Sequence, residues 1–294
     1  MTNGIVRALE DGAGRLAKTL GEDAGKAVKD LYHDTGKRLK RVASNHREND
    51  AKHAAELERL AKRPRTDETP IYHVDDKGNI TRLRHDSDAK KPDDKYLKEK
   101  LTDEDKARLG LDDASVGAPK RGERAALLKD KSEGMTKPRP NTPSTEVPFG
   151  SSSNGLARAT QLARHADKSY GTKRGDVFSS NNYAAAHVKG ANGKDDFILV
   201  GRSHRPNGAG LTETTHSERM IGTPFLRQGD GERIQHLYTE RAPCSSPPNC
   251  SSWMAERLPH VQVSHTVEYG NTPESRAVGN KAMEDYLDGL KASR

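Results

Sequence analysis

The chain has 294 residues, of which 31% are hydrophobic, 4% aromatic and 32% charged, with a formal net charge of +7; its mean hydropathy is −0.97. A sequence this polar cannot bury one compact core along its whole length, and none of its segments approaches the length of a membrane helix. The basic excess favours polyanions such as nucleic acid, yet the basic clusters at Lys37–Arg41 and Lys62–Arg65 serve equally well as solvated helix faces, and two cysteines make no disulfide framework.

The first ten residues, Met1–Glu10, break off too soon for a signal-peptide core. Synthesis in the cytoplasm is therefore expected, with any export left to a route that does not read such a signal. From Ile5 to Ala61, Leu, Val and Ala recur at helix-compatible spacing, as in Leu9, Leu16 and Leu20. Gly21 and Gly36 interrupt the pattern, predicting two or three helices that end before Pro64. Ile71–Leu83 reads as a β-hairpin turning near Lys77-Gly78. Thr102-Asp103-Glu104-Asp105 forms a capping-box pattern, opening a short helix that Gly110 closes. Lys137–Gly150 carries four prolines among polar residues and reads as a linker. These features divide the chain into a helical, low-complexity region at 1–136, a Pro/Ser-rich linker at 137–154 and a folded domain at 155–294. Phe178, Phe197, Phe225 and Trp253 fall in the last of these.

Within it, Tyr183–Val188 and Phe197–Arg202 read as strands joined by the turn Gly190–Gly193. A short helix follows at His216–Ile221, with Thr214 or Thr215 as its cap. Ile234–Glu240 reads as a strand, Cys250–Leu258 as a helix, Val261–Glu268 as a strand and Glu274–Leu290 as a final amphipathic helix. The expected fold class is α/β: a mixed sheet with helices on its faces, behind a mainly helical, partly disordered N-terminal half.

Two strings in this domain carry chemistry. His216-Ser217-Glu218 sits where a loop enters a helix. Pro243-Cys244-Ser245-Ser246-Pro247-Pro248-Asn249-Cys250 joins a strand to the next helix and contains both cysteines of the chain. At a helix start, free N–H groups and the dipole favour a thiolate at Cys250. One histidine and two thiolates suffice to hold Zn²⁺ with its fourth position open to water, while a carboxylate that is not a ligand moves protons. Taken singly the parts are ordinary. His-x-Glu is frequent by chance, two cysteines six positions apart serve as a disulfide or as free thiols, and Trp253 serves as core packing. Their joint occurrence, in order and each at a predicted helix start, is what points to a site.

The order strand, strand, His-x-Glu helix, strand, Pro-Cys…Cys helix resembles the cytidine deaminase-like superfamily. His216-Ser217-Glu218 together with Thr239–Cys244 is similar to the deaminase domains that end bacterial polymorphic toxins. The resemblance covers roughly residues 155–294. It implies Zn²⁺ on His216, Cys244 and Cys250, with Glu218 as proton shuttle in the hydrolytic deamination of a nucleobase, cytosine to uracil, in nucleic acid or nucleotide. It further implies an antibacterial toxin, exported by a specialised system into target cells and blocked by a cognate immunity protein. The chain departs from the superfamily's pattern twice. Its cysteines are six apart (250 − 244) rather than in the commoner PCxxC spacing, so Ser-Pro-Pro-Asn must loop out. Its second strand ends Val200-Gly201-Arg202-Ser203, where nucleoside deaminases carry a substrate-binding asparagine; Asn207 is the nearest substitute. Asn182, Tyr183, Ser203 and Trp253 are the candidate substrate contacts. Two rival readings are a non-catalytic, zinc-stabilised module and a basic nucleic-acid-binding or secretion-adaptor protein working through its N-terminal half.

Overall fold

The hairpin expected at residues 71–83 does not stand apart; it is built into the main sheet. In the computed structural model, which describes residues 69–91, 94–120, 123, 141–149, 155–204, 215–245, 249–270 and 272–293, Ile71–Val74 (β1) and Ile80–His85 (β2) pair antiparallel, Val74 opposite Ile80. β2 continues to Tyr96–Glu99 (β3). On its other side β1 runs parallel to Phe197–Arg202 (β8), Tyr72 opposite Leu199. Tyr183–Val188 (β7), Ile234–Arg241 (β9), Gln262–Val267 (β10) and Ser144–Glu146 (β4) complete a mixed sheet in the order β3-β2-β1-β8-β7-β9-β10-β4. Thr172–Arg174 (β5) and Val177–Ser179 (β6) form a separate small hairpin.

The sheet therefore crosses the boundaries expected at 137 and 155, and the Pro-rich stretch contributes its edge strand β4 by parallel pairing with β10. Residues 63–294 make one compact unit. Local pattern revealed the hairpin; its parallel docking on a strand far along the chain leaves no local signature. The helices expected over Ile5–Ala61, both basic clusters and Asn207 lie outside the described residues.

Asp103–Leu109 (α1) has the expected capping box, Thr102 with Asp105, and Gly110 closes it in the left-handed region. Gly155–Asp167 (α2) is a further helix, beyond those the sequence pattern marks. Ser217–Gln228 (α3), Cys250–Arg257 (α4) and Pro273–Ala292 (α5) match the other helices, although α3 runs further than expected. None of the described helices is long and apolar enough to cross a membrane.

Alternation along the central strands feeds two layers. Ala184, Ala186 and Val188 of β7, with Phe197 and Leu199 of β8, face α3 and α4 and pack on Met220, Ile221, Phe225, Trp253 and Met254. Tyr183, Ala185, Ile198 and Val200 face α2 and pack on Ala159 and Ala163. A third cluster joins Phe178 and Val267 to Met283, Leu287 and Leu290 of α5. Arg164 of α2 and Glu240 of β9 form a fully buried ion pair on the α2 side. Arg164 also donates to the Ser169 and Asn181 carbonyls, and Tyr183 N–H donates to Glu240, so the charges are hydrogen-bonded as burial demands.

Tyr72 tests whether β1 belongs to the fold. It is fully buried, packs edge-on against Phe197 at 5.4 Å and donates its hydroxyl to Asp105. Tyr72→Ala should destabilise the protein by about 3–5 kcal/mol, read in urea through Trp253, the chain's single tryptophan. An unchanged Trp253 midpoint would mean that β1 is not part of that core.

Asp167 closes α2 and accepts from Tyr183 (2.6 Å), while His73, Lys98 and Arg202 also meet its carboxylate. Burial works to raise its pKa, but the neighbouring His73, Lys98 and Tyr183 outweigh it and hold the carboxyl well below the usual carboxylate range. A depressed folded-state pKa lends stability that is present above the unfolded value near about 4 and is lost as the pH falls through the acid range. Urea midpoints measured from pH 7 downwards should therefore fall more steeply in the wild type than in Asp167→Asn; parallel curves would remove Asp167 from the account.

Candidate metal centre

β8 and β9 both run antiparallel to β7, which lies between them, so both chains leave the sheet at the same end. α3 follows one and α4 the other. Two glycines let these helices close in. A Cβ at Gly201, on β8, would lie 2.8 Å from the Ser217 carbonyl oxygen and 2.9 Å from Ile221 Cγ1. A Cβ at Gly222, on α3, would lie 2.7 Å from the Trp253 ring of α4. The first turn of α3 thus sits directly over the end of β8, with α4 against its flank.

His216 is the N-cap of α3, extended at φ −86° and ψ 153°, and its side chain makes no capping bond. The ring is thereby left for the site. Of the two threonines expected as the cap, Thr214 lies outside the described residues and Thr215 instead exchanges backbone hydrogen bonds with His204 at 2.8 and 2.9 Å. Cys244 follows β9. Its carbonyl accepts from Ser251 N–H (3.1 Å) and its sulfur from Cys250 N–H (3.3 Å), so the start of α4 folds back onto it. Asn249 makes this possible: it adopts the left-handed conformation (φ 55°, ψ 67°), which asparagine tolerates, and its side chain caps α4 by accepting from Ser252 N–H at 3.1 Å. Arg219, fully buried, donates to the Asn249 carbonyl at 3.3 Å and lies over the Trp253 ring at 5.2 Å.

The result brings His216, Cys244 and Cys250 together. One ligand atom from each lies within 4.8 Å of the others, and His216 Nδ1 stands 3.6 Å from Cys244 Sγ. The cysteines are not bonded to each other. A tetrahedral zinc with Zn–S of about 2.3 Å and Zn–N of about 2.0–2.1 Å needs ligand atoms roughly 3.3–3.8 Å apart. The set fits such an ion with small side-chain adjustment, and its imidazole and two sulfurs are the donors zinc prefers. A hydrogen bond from Cys250, helped by His216, draws the Cys244 thiol down to about 4 against the effect of burial. Burial pushes the Cys250 thiol up instead. Burial opposes charge on His216, but the Cys244 bond and Glu218 overcome it and raise its pKa.

Glu218, in the first turn of α3, is 2% exposed. Burial pushes its carboxyl up, with His216 partly opposing. Ser217 Oγ donates to its Oε2 at 3.1 Å. The four other expected site residues divide into two pairs. Asn182 and Ser203 are half-buried at the same end of the sheet and hydrogen-bond each other. Tyr183 has no exposed surface; it points to the α2 layer and its hydroxyl is used by Asp167. Trp253, 2% exposed, is packed among the residues of the α3–α4 layer. Neither ring presents a face to a base. Nothing in the sequence gives Ser217, Thr239 or Arg219 a role of its own in the site. Asn249 had a usable signal, an asparagine directly before a helix start; the burial of Arg219 had none.

We expect the purified protein to bind one equivalent of zinc, and Cys244→Ser or Cys250→Ser to weaken binding by more than the roughly 10–100-fold that loss of an outer-shell partner costs. Elemental analysis with chelator competition measures this. Zinc-free active protein, or an intact Cys244–Cys250 disulfide in it, would contradict the assignment.

Comparison with known proteins assigns this region a family. Residues 179–285 match the family model described as Xanthomonas-like deaminase, a cytidine deaminase-like family, and so form a deaminase domain in the C-terminal part of the chain. No curated protein and no solved structure gives a match.

Proposed function

We propose that this deaminase-family domain is a zinc-dependent hydrolase converting cytosine to uracil in nucleic acid or nucleotide. The observation that carries the reading is Glu218: a buried carboxylate in the helical turn that His216 caps, beside a cluster of three metal-ligand side chains to which it does not belong. Structural zinc is normally closed by four protein ligands, whereas catalytic zinc keeps a position open. Among the described residues the cluster has three members, which favours the enzyme over a zinc-stabilised module.

His216, Cys244 and Cys250 would hold the ion, which supplies Lewis-acid activation of water. Glu218 takes one proton from the attacking water and delivers it to the ring nitrogen, then takes the second from the hydroxyl now on C4 and passes it to the departing amine. Overall one water is consumed: its oxygen becomes the new carbonyl at C4, the C4–N bond breaks and ammonia leaves. Burial suits Glu218 to this work, because a raised pKa brings a carboxyl nearer the operating pH of a proton shuttle. The net charge of +7 supports a polyanionic substrate. An antibacterial toxin role, a cognate immunity protein and specialised export into target cells are supported by the likeness of His216-Ser217-Glu218 and Thr239–Cys244 to toxin-type deaminases.

The test is to express the full chain in a host without an immunity protein and sequence its DNA and RNA. Cytosine-to-uracil changes and toxicity are expected. Glu218→Gln should keep zinc and fold yet lose about 10²–10⁴-fold in rate, since glutamine can hydrogen-bond but cannot relay a proton. Undiminished deamination by zinc-loaded Glu218→Gln would overturn the enzyme reading.

A further inference from the structure

Asn182 precedes β7 and therefore stands beside the ends of both neighbouring strands. Its backbone pairs with Ser203, beyond β8: Asn182 N–H donates to Ser203 Oγ and its carbonyl accepts from Ser203 N–H, both at 2.7 Å. Its side chain has its polarity fixed from the β9 side. A backbone N–H can only donate, and Arg241 N–H meets Asn182 Oδ1 at 3.0 Å. Nδ2 is thereby turned the other way, where it donates to Thr239 Oγ1 at 2.7 Å and to Ser217 Oγ at 3.0 Å. Ser217 Oγ, accepting from Asn182, directs its own hydrogen to Glu218 Oε2 at 3.1 Å. Ser217 and Thr239 are fully buried and Glu218 nearly so, which leaves no bulk water to compete for these bonds.

We infer that Asn182 is a positioning residue for the deamination. Acting through Ser217, it holds the Glu218 carboxylate by one oxygen in a fixed orientation; the inference rests on Glu218 being the proton shuttle. A group that accepts and returns protons at successive atoms must keep its aim while its charge changes, and a prearranged donor on one oxygen supplies that constraint. Both hydrogens of the Asn182 amide are used inside the protein, so a substrate contact through Nδ2 would have to break one of these bonds. Asn182 thus serves the site from behind rather than by touching the base.

The experiment uses the full chain, zinc-loaded, as wild type, Asn182→Ala, Ser217→Ala and the double variant. The probes are a single-stranded oligodeoxynucleotide containing one cytosine, the RNA of the same sequence, and cytidine monophosphate; kinetics follow on whichever the wild type turns over. Each single variant should lose about 10- to 100-fold in kcat, the effect of losing a hydrogen bond to a charged group, with KM and zinc content little changed. The double variant should be no worse than the poorer single one, because both changes cut one relay. The carbon-13 shift of the Glu218 carboxyl, read without substrate, should move alike in both single variants. A raised KM at unchanged kcat would make Asn182 a substrate contact, and multiplied losses in the double variant would make the two residues independent; either overturns the inference. A merely structural Asn182 would lower the unfolding midpoint and leave both kcat and the carboxyl signal of folded protein unmoved. If Asn182→Ala does not fold, Asn182→Asp, which keeps an acceptor for Arg241 N–H but cannot donate, and Ser217→Ala carry the same readouts. If the wild type turns over none of the probes, the proposed function fails by itself, and the carboxyl shift still decides whether the relay exists.

Discussion

β7 runs against both of its neighbours, and the site's geometry follows from that one fact of pairing. With an antiparallel strand between them, β8 and β9 must exit the sheet at the same end, about two strand spacings apart, or roughly 10 Å. The helices after them start there, on one face. Helix starts carry unpaired N–H groups and the positive end of the helix dipole. Two of them converging make a place that favours thiolates and carboxylates, and the contact of Cys250 N–H with Cys244 sulfur is the direct expression of this. The same topology leaves the residue just before β7 in the gap between the two exits, which is why one asparagine reaches Ser203, Ser217, Thr239 and Arg241 at once.

Converging strands would still leave a loose site if the helices stood off. Gly201 and Gly222 remove the side chains that would hold α3 away from the sheet and from α4, and the gap closes to backbone contact. The consequence is electrostatic. With little water around them, Glu218 and Cys250 are pushed towards their neutral forms, while Cys244 and His216 draw each other towards charge. Burial and pairing thus push neighbouring groups in opposite directions, the arrangement in which acid, base and ligand roles separate. Arg219, buried beside them, adds a fixed positive charge that opposes the rise at Cys250.

Much of this was legible beforehand, and the reasons are local. β7, β8, β9 and α4 announced themselves because apolar runs and alternation survive where strands are buried on both faces. The capping box at Thr102 and the closing glycine at 110 are backbone requirements written in residue type. β3 and β4 were invisible: Tyr-Leu-Lys-Glu and Ser-Thr-Glu have no apolar face and exist as strands because a neighbour offers hydrogen bonds at the sheet edge. α2 carried Leu156, Ala159, Ala163 and Ala166 at helical spacing, but small residues next to a polar linker make a faint stripe. The cluster of His216, Cys244 and Cys250, which could hold a metal, was readable from three residue types in order. What surrounds it was not, because the side chain of Tyr183 follows the phase of β7, on the α2 side with Ala185, and the indole of Trp253 packs in the α3–α4 layer. Residue chemistry suggests both as substrate contacts; phase and packing decide otherwise.

The long interval between the cysteines follows the same logic. What the sulfurs require is fixed at the two ends of the connection. Cys244 is held where β9 stops, by its carbonyl to Ser251 N–H and its sulfur to Cys250 N–H. Cys250 is held where α4 begins, by a left-handed Asn249 that caps the helix and is gripped by Arg219. Both sets of bonds lie at the two ends of the connection. A connection of this kind can gain residues at little entropic cost, since closure of a longer loop grows only logarithmically with its length. The spacing of ligand cysteines in such a site is therefore a weak criterion, and the residue that starts the helix, with the charge that holds its carbonyl, is the stronger one.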